Sequence, residues 1–537
     1  MGGGGCPSLD CGVLDALSNT CVHPFATLFG HGERMTVTRR SLLIGGVALA
    51  TAATAGAGFP KLADPFTLGV ASGDPLPDSV VLWTRLAPQP LAEDGLGGMP
   101  DRVVPVHWEL AEDERFQHVV RRGVQPAKPE AGHSVHVEPF GLRPGREYFY
   151  RFQVDGHLSP VGRTRTAPDP WVLGQDLTMC FASCAHYGEG YFTAYRRLAE
   201  DHPDVVLHLG DYQYEYAAKA ADVRTVLGPE TRTLADYRLR HAQYKTDADL
   251  QLAHSVAPWV VVWDDHEIEN NWADDVPEQP DPNFAARREA AFKAYYENMP
   301  LRRGARPDGV DLQLYRRLGW GGLVNFHMLD TRQYRDDQAC GDGWKTCEDA
   351  ALPGRSITGA AQEAWLLDGF RQSRARWDVL GQQVFFAERD RKDGPEKEVS
   401  MDGWDGYLAS RDRVTRGWVD AGVRNAVVLT GDVHAHYAAD VKLDWNDPAS
   451  PTVGTELVCS SVTSGGNGND TVDQVQLRLN PHIKLHSRRR GYVRTKFTAQ
   501  EMRADFRTLP YVRTAGAEAT TLKSFVVEDR NPGLNPV

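Results

Sequence analysis

The chain has 537 residues, 41% hydrophobic and 24% charged, with 13 tryptophans. That composition fits a large globular protein and excludes wholesale disorder. A formal net charge of −13 argues against generic binding to nucleic acid phosphates.

Residues 1–34 are Gly-rich at their start and hold Cys6, Cys11 and Cys21. Met35 stands just before a signal-like segment, so these residues read as an upstream extension from a misassigned start. Thr38, Arg39 and Arg40 then precede SLLIGGVALATAATAGAGF, a positive n-region followed by a moderately apolar stretch ending in small residues. The paired arginines and weak hydrophobicity over 35–57 resemble a twin-arginine signal. The implied partner is the twin-arginine export machinery, and the implied location is secreted, periplasmic or cell-envelope associated. Frequent Gly, Ala and Thr make the segment a poor anchor, so no membrane span is expected after its removal.

Residues 66–167 read as β. VASGDPLPDSVVLWTRL holds a Gly73-Asp74-Pro75 turn and then an alternating strand. VVPVHWELAED and HSVHVEPFGLRPGREYFYRFQVDG add strands broken by Pro/Gly turns. This spacing predicts a small fibronectin- or immunoglobulin-like sandwich. TAPDP at 166–170 reads as a linker.

From 171 to about 530, short β-branched runs alternate with helical patterns, which predicts an α/β layered domain. YFTAYRRLAED, FAARREAAFKAYYENMP (stopped by Pro300) and GAAQEAWLLDGFRQSRARW have helical spacing. Cys340 and Cys347 bracket CGDGWKTC, a candidate disulfide if the protein is exported. The Arg-rich stretch 477–513 reads either as a cap near the site or as a solvated basic segment, the latter favoured.

Five apolar runs end in metal-binding or polar residues. MCFAS ends at Cys184, and VVLHLG ends at Asp211 with Tyr214 close behind. WVVVW ends in Asp264, Asp265, His266 and Glu267. GLVNFHML ends in Asp330 and Arg332, and NAVVLT ends in Gly431, Asp432, Val433, His434, Ala435 and His436. In open α/β sheets, sites form beyond the carboxyl ends of strands. Sulfur, carboxylates, imidazoles and a phenol at one edge point to a metal site. A phenol, with a pKa of ~10, needs a strong Lewis acid to deprotonate near neutrality, which favours a trivalent ion such as Fe³⁺. Asp432, His434 and His436 alternate, and alternate residues face the same way in extended chain. For each cluster there is a plainer explanation: a turn Asp beside a packed Tyr, a surface loop, an inert buried Cys, or a helix N-cap at Asp432.

FASC, GDYQYEY, WDDHEIENNW, FKAYYENMP, LDTRQYR and GDVHAHY, in that order, together with VASGDPLPDSVVLWTRL, resemble the PhoD-type alkaline phosphatases and phosphodiesterases across 66–530. The resemblance implies a four-layer α/β/β/α metallophosphoesterase sandwich over 171–530, preceded by the small all-β domain. It implies Fe³⁺ beside Ca²⁺. Cys184, Asp211 and Tyr214 would hold iron, with Asp211 able to bridge to calcium. Asp265, Asp432 and His434 complete the metal set, and Asp where related proteins have His favours a harder ion. The expected catalytic residues are His266, Asp265 and His434, and the expected substrate contacts are Asn270, Asn271 and His436. The expected activity is hydrolysis of small phosphate monoesters and diesters by a metal-held hydroxide, with His266 protonating the leaving alkoxide. The alternatives are a phospholipase D-type phosphodiesterase on the same scaffold and a non-catalytic secreted calcium-binding protein.

Overall fold

In the computed structural model, residues 61–447 and 449–537 are described. The expectations for 1–34 and 35–57 lie outside them.

The apolar runs form the centres of two sheets. In the first, Leu177–Ala182, Val205–Leu209 and Pro258–Val262 lie side by side and parallel. In the second, Val324–Met328, Trp377–Gly381, Ala426–Thr430 and Thr452–Val458 do the same. Parallel strands are covered on both faces, which is why these runs are continuously apolar. Side chains then alternate between layers. Val427 and Leu429 join the large core shared by both sheets, while Ala426 and Val428 pack in a second cluster with Leu366, Phe370, Val414 and Trp418. Those last four belong to the helices Gly359–Gln372 and Leu408–Asp420. Thr193–Glu200, Leu234–Lys245, Ala248–Val256 and Phe284–Asn298 bring their buried residues to the large core. The result is the expected α/β/β/α arrangement. The last helix stops before Pro300, and Leu234–Lys245 begins with a capping box between Thr233 and Asp236.

The first sheet is larger than the sequence predicts. Val70–Leu76, Ser79–Arg85 and Ser134–Val137 extend it, with Ser72 registered on Pro258 and Gly73 on Trp259. A Cβ on Gly73 would lie 2.4 Å from the Pro300 carbonyl oxygen and 2.7 Å from that of Trp259, so this join requires glycine. A separate five-stranded sheet holds Val104–Ala111, Val119–Ala127 and Glu147–Val154. Val80, Leu82 and Val135 share one apolar cluster with Val106, Leu110, Tyr150 and Phe152. The β-rich segment is thus a sandwich with one layer continuous with the large sheet.

The Arg-rich segment is not a solvated loop. Arg490–Phe497 pairs antiparallel with Leu177–Ala182, followed by Glu501–Leu509 and Thr520–Glu528, giving a sheet of ten strands. Its alternation was hidden because arginines occupy the outward positions, while Arg490 is buried and serves the site described below. Cys340 and Cys347 form a disulfide. Cys180, Cys184 and Cys459 are free and buried. No helix among the described residues is long and apolar enough to cross a membrane.

Candidate active site

The carboxyl ends of the parallel strands meet at one edge, where a parallel bridge between Ser183 and Ser461 ties the two sheets together. Three of the strands turn sharply there. Cys184, Asp211, Asp432 and His434 all have left-handed backbone, with φ of 61°, 54°, 61° and 53°. Non-glycine residues adopt this conformation at a cost of order 1–3 kcal/mol, and such strain clusters at functional sites. Glycines at 210 and 431 allow the turns to approach. A Cβ on Gly210 would lie 2.4 Å from Asp264 Cβ, and one on Gly431 would lie 2.8 Å from Ser183 Oγ.

Two groups of side chains able to hold a cation result. Donor atoms of Cys184, Asp211 and His434 lie within 4.8 Å of one another, and so do those of Asp211, Asp265 and His266. Asp211 is common to both. The Tyr214 hydroxyl donates to Asp211 Oδ2 at 2.8 Å and lies 3.1 Å from His434 Nε2. The helix Leu234–Lys245 holds this tyrosine in place: Arg240 donates to its carbonyl, and Tyr244 Oη accepts its backbone N–H at 3.2 Å.

The electrostatics of the cluster call for a cation. Burial pushes the Asp211 carboxyl well up, with Asp265 and Glu267 adding to the shift, and its Oδ1 is buried without a partner. Burial likewise raises the Cys184 thiol and Tyr214 phenol, each further raised by Asp211. Asp264 is pushed up by burial even though Arg332 donates to it at 2.6 Å. Burial and Asp402 carry Asp432 to about 7. His434 is driven to about 3 by burial, then by Arg490, so its imidazole is neutral and able to ligate. A thiol, a phenol, several carboxylates and a neutral imidazole around a shared carboxylate fit a two-cation centre.

His266 behaves oppositely. Burial opposes its charge, but Glu215, Asp265 and Asp211 together hold it well above the ordinary histidine range. Its Nδ1 lies 2.8 Å from Glu215 Oε2, while Glu215 Oε1 accepts the Asn270 N–H at 2.9 Å. Glu267 accepts the N–H groups of Asp211 and Asp264 at 3.0 and 2.9 Å, tying two strand ends together.

Asn270 and Asn271 flank the cluster. The Asn271 N–H donates to Asp265 Oδ2 at 2.8 Å, and its side chain donates to Asp342. The Asn270 side chain donates to Glu278, and Asn270 and Glu278 line a cavity of about 290 Å³ with Glu215 and Tyr216. His436 is not brought to the cluster. Its Nδ1 accepts the Ser460 N–H at 3.0 Å and its ring packs edge-on to Phe506. The predicted alternation from Asp432 to His436 assumed extended chain, and the left-handed turns at Asp432 and His434 break it. Sequence reasoning missed Glu215 and Ser464 as site residues. Glu215 could have been suspected as an acid next to Tyr214; Ser464 gives no local signal.

The profile of the PhoD-like phosphatases matches residues 179–506, and that of their N-terminal domain matches residues 51–168. The chain belongs to the PhoD-like phosphatase family. It is 50% identical over 484 residues to alkaline phosphatase D of Bacillus subtilis (strain 168), covering 88% of this chain and 82% of that protein. A solved structure of PhoD superposes with a TM-score of 0.86 at 49% identity, covering 88% of this chain and 92% of that one. The chain is therefore a phosphoesterase hydrolase, and membership of the PhoD-like family implies metal dependence.

Proposed function

We propose that this PhoD-like enzyme hydrolyses small phosphate monoesters and diesters at a two-cation centre built on Asp211. The observation that carries this is the place of the Asp211 carboxylate, with Cys184 and His434 against it on one side and Asp265 on the other, where His266 stands beside the pair as an acid and not as a ligand. Cys184, Tyr214 and His434 surround one side, where soft sulfur and hard phenolate together suit Fe³⁺. Asp265 stands on the other, with Asp432 nearby, where oxygen donors suit Ca²⁺. When bound, such cations neutralise phosphate charge and acidify a coordinated water.

The chain's own residues supply the rest. His266, held protonated and oriented by Glu215, donates its proton to the departing alkoxide. Asn271 fixes Asp265 through its backbone N–H. The buried carboxylates and Arg332 hold the charges in place before substrate arrives, so little reorganisation is needed in the transition state. The domain limits 66–167 and 171–530 serve this scheme by setting a β-rich flank against the catalytic layers. Export by the twin-arginine route, which carries folded proteins, suits an enzyme that acquires its metals before leaving the cytoplasm.

The test is to measure initial rates on a chromogenic phosphomonoester and the matching diester, using calcium-supplemented protein at alkaline pH. Turnover of both supports the proposal. Diester turnover alone, extending to phosphatidylcholine, would move the assignment to a phospholipase D-type enzyme.

A further inference from the structure

Ser464 lies on no strand or helix, and neither of the ligand groups contains it. Yet its side chain, with 1% of the residue exposed, contacts two of the loops that end strands of the first sheet, those carrying Cys184 and Tyr214. Its Oγ lies 2.7 Å from the Tyr214 phenol oxygen and 2.9 Å from the Cys184 carbonyl oxygen, and it accepts the His186 N–H at 3.3 Å. It is carried on the segment that follows Thr452–Val458 of the second sheet, so it crosses the seam between the sheets.

The segment is built to hold that position. Ser461 donates to the Ser464 carbonyl at 2.6 Å, and Arg490 donates to Ser461 Oγ at 2.8 Å and to the His434 carbonyl at 2.6 Å. The Thr463 hydroxyl donates to the His186 carbonyl at 2.8 Å. Gly465, Gly466 and Gly468 follow with positive φ, and a Cβ on Gly468 would lie 1.9 Å from the Arg488 carbonyl oxygen.

We infer that Ser464 is a positioning residue for the metal centre, fixing the Tyr214 oxygen between Asp211 and His434 while bracing the Cys184 turn. The inference rests on the proposal that Tyr214 and Cys184 are ligands. The single hydrogen of the Ser464 hydroxyl is shared between the Tyr214 oxygen and the Cys184 carbonyl oxygen, and a phenolate held on a cation, being the stronger acceptor, draws it. Groups that orient metal ligands typically change metal affinity 10–100-fold when removed. Without this contact, the Tyr214 ring retains only the Asp211 and His434 contacts to set its oxygen.

The experiment compares wild type with Ser464→Ala, Ser464→Thr and Tyr214→Phe. Iron and calcium content are measured by mass spectrometry through a graded chelator challenge, and the visible absorption of an iron–phenolate centre is recorded in parallel. Thermal unfolding of the metal-free proteins controls for folding. Ser464→Ala is expected to lose iron at roughly 10-fold lower chelator with a shifted absorption band, and Ser464→Thr is expected to restore both. Metal-free unfolding temperatures are expected to match. If Tyr214→Phe loses iron and the band while Ser464→Ala keeps wild-type retention and spectrum, the positioning role is overturned and the ligand assignment stands. If Tyr214→Phe itself keeps iron and band, the ligand assignment fails, and this inference with it.

Discussion

His266 and Glu215 form a buried ion pair, with Nδ1 and Oε2 2.8 Å apart, beside Asp211 and Asp265. Burial opposes the charge on His266, and Glu215, ahead of Asp265 and Asp211, offsets that penalty and holds its pKa well above the ordinary histidine value. Removing the charge of Glu215 lowers that pKa, so Glu215→Gln should move the alkaline limb of kcat to lower pH. His266→Ala should lower kcat by about 10²–10⁴ on an alkyl phosphate. The loss should be much smaller on a nitrophenyl ester, whose leaving group needs no proton. Rate profiles on the two esters check this.

Gly210 has φ of 102°, and its missing Cβ makes room for Asp264. Gly210→Ala would push the Asp211 turn away from the neighbouring strand end. We expect destabilisation of about 1–3 kcal/mol together with reduced metal content. Thermal unfolding and metal analysis on the same preparation would show it.

Arg332 is fully buried and joins Asp264 to Asp402, donating to the latter at 2.8 and 3.0 Å. Arg332→Met strands the buried Asp264 and leaves Asp402 to Arg335 and Gln338, a loss of about 3–5 kcal/mol. Lysine should not rescue it, because one ammonium cannot span the fork that reaches both. Urea unfolding midpoints of the two variants provide the check.

Lys245 is buried 9 residues before His254 in sequence, with its ammonium 4.4 Å from the Trp83 ring centroid, 5.2 Å from that of Tyr212 and 3.5 Å from His254 Nε2. Burial, then Arg85, carry it down to about 7. The unfolded chain therefore binds a proton that the folded protein does not, between about pH 7 and the ordinary lysine value. Stability should rise with pH across that window, by at most about 1.4 kcal/mol per unit, and fall as pH returns to 7. Lys245→Met should flatten the slope. Unfolding temperature measured from pH 7 to 10 for both proteins tests the sign.

The strand-end clusters were legible because parallel strands must be apolar throughout and their ligands follow immediately in sequence. The helices before Pro300 and around Trp365 were legible from periodicity for the same local reason. What stayed hidden is long-range. VASGDPL reads as a turn at Gly73-Asp74-Pro75, yet Val70–Leu76 is a strand, because Gly73 lets it dock beside Trp259. Ser464 is 250 residues from Tyr214, and nothing in SVTSGGNG signals the contact. Arg490 reads as solvated because it ends a run of three arginines of which Arg488 is exposed and Arg489 half-buried. His436 was misplaced because a sequence pattern cannot show that Asp432 and His434 turn left-handed.

The most direct test of the account is the metal content and turnover of Asp211→Asn. If Asp211 is shared by two cation sites, the variant should lose both bound metals and all measurable hydrolysis of a chromogenic phosphomonoester, while its metal-free form still folds. Near-wild-type activity with unchanged metal content would contradict it.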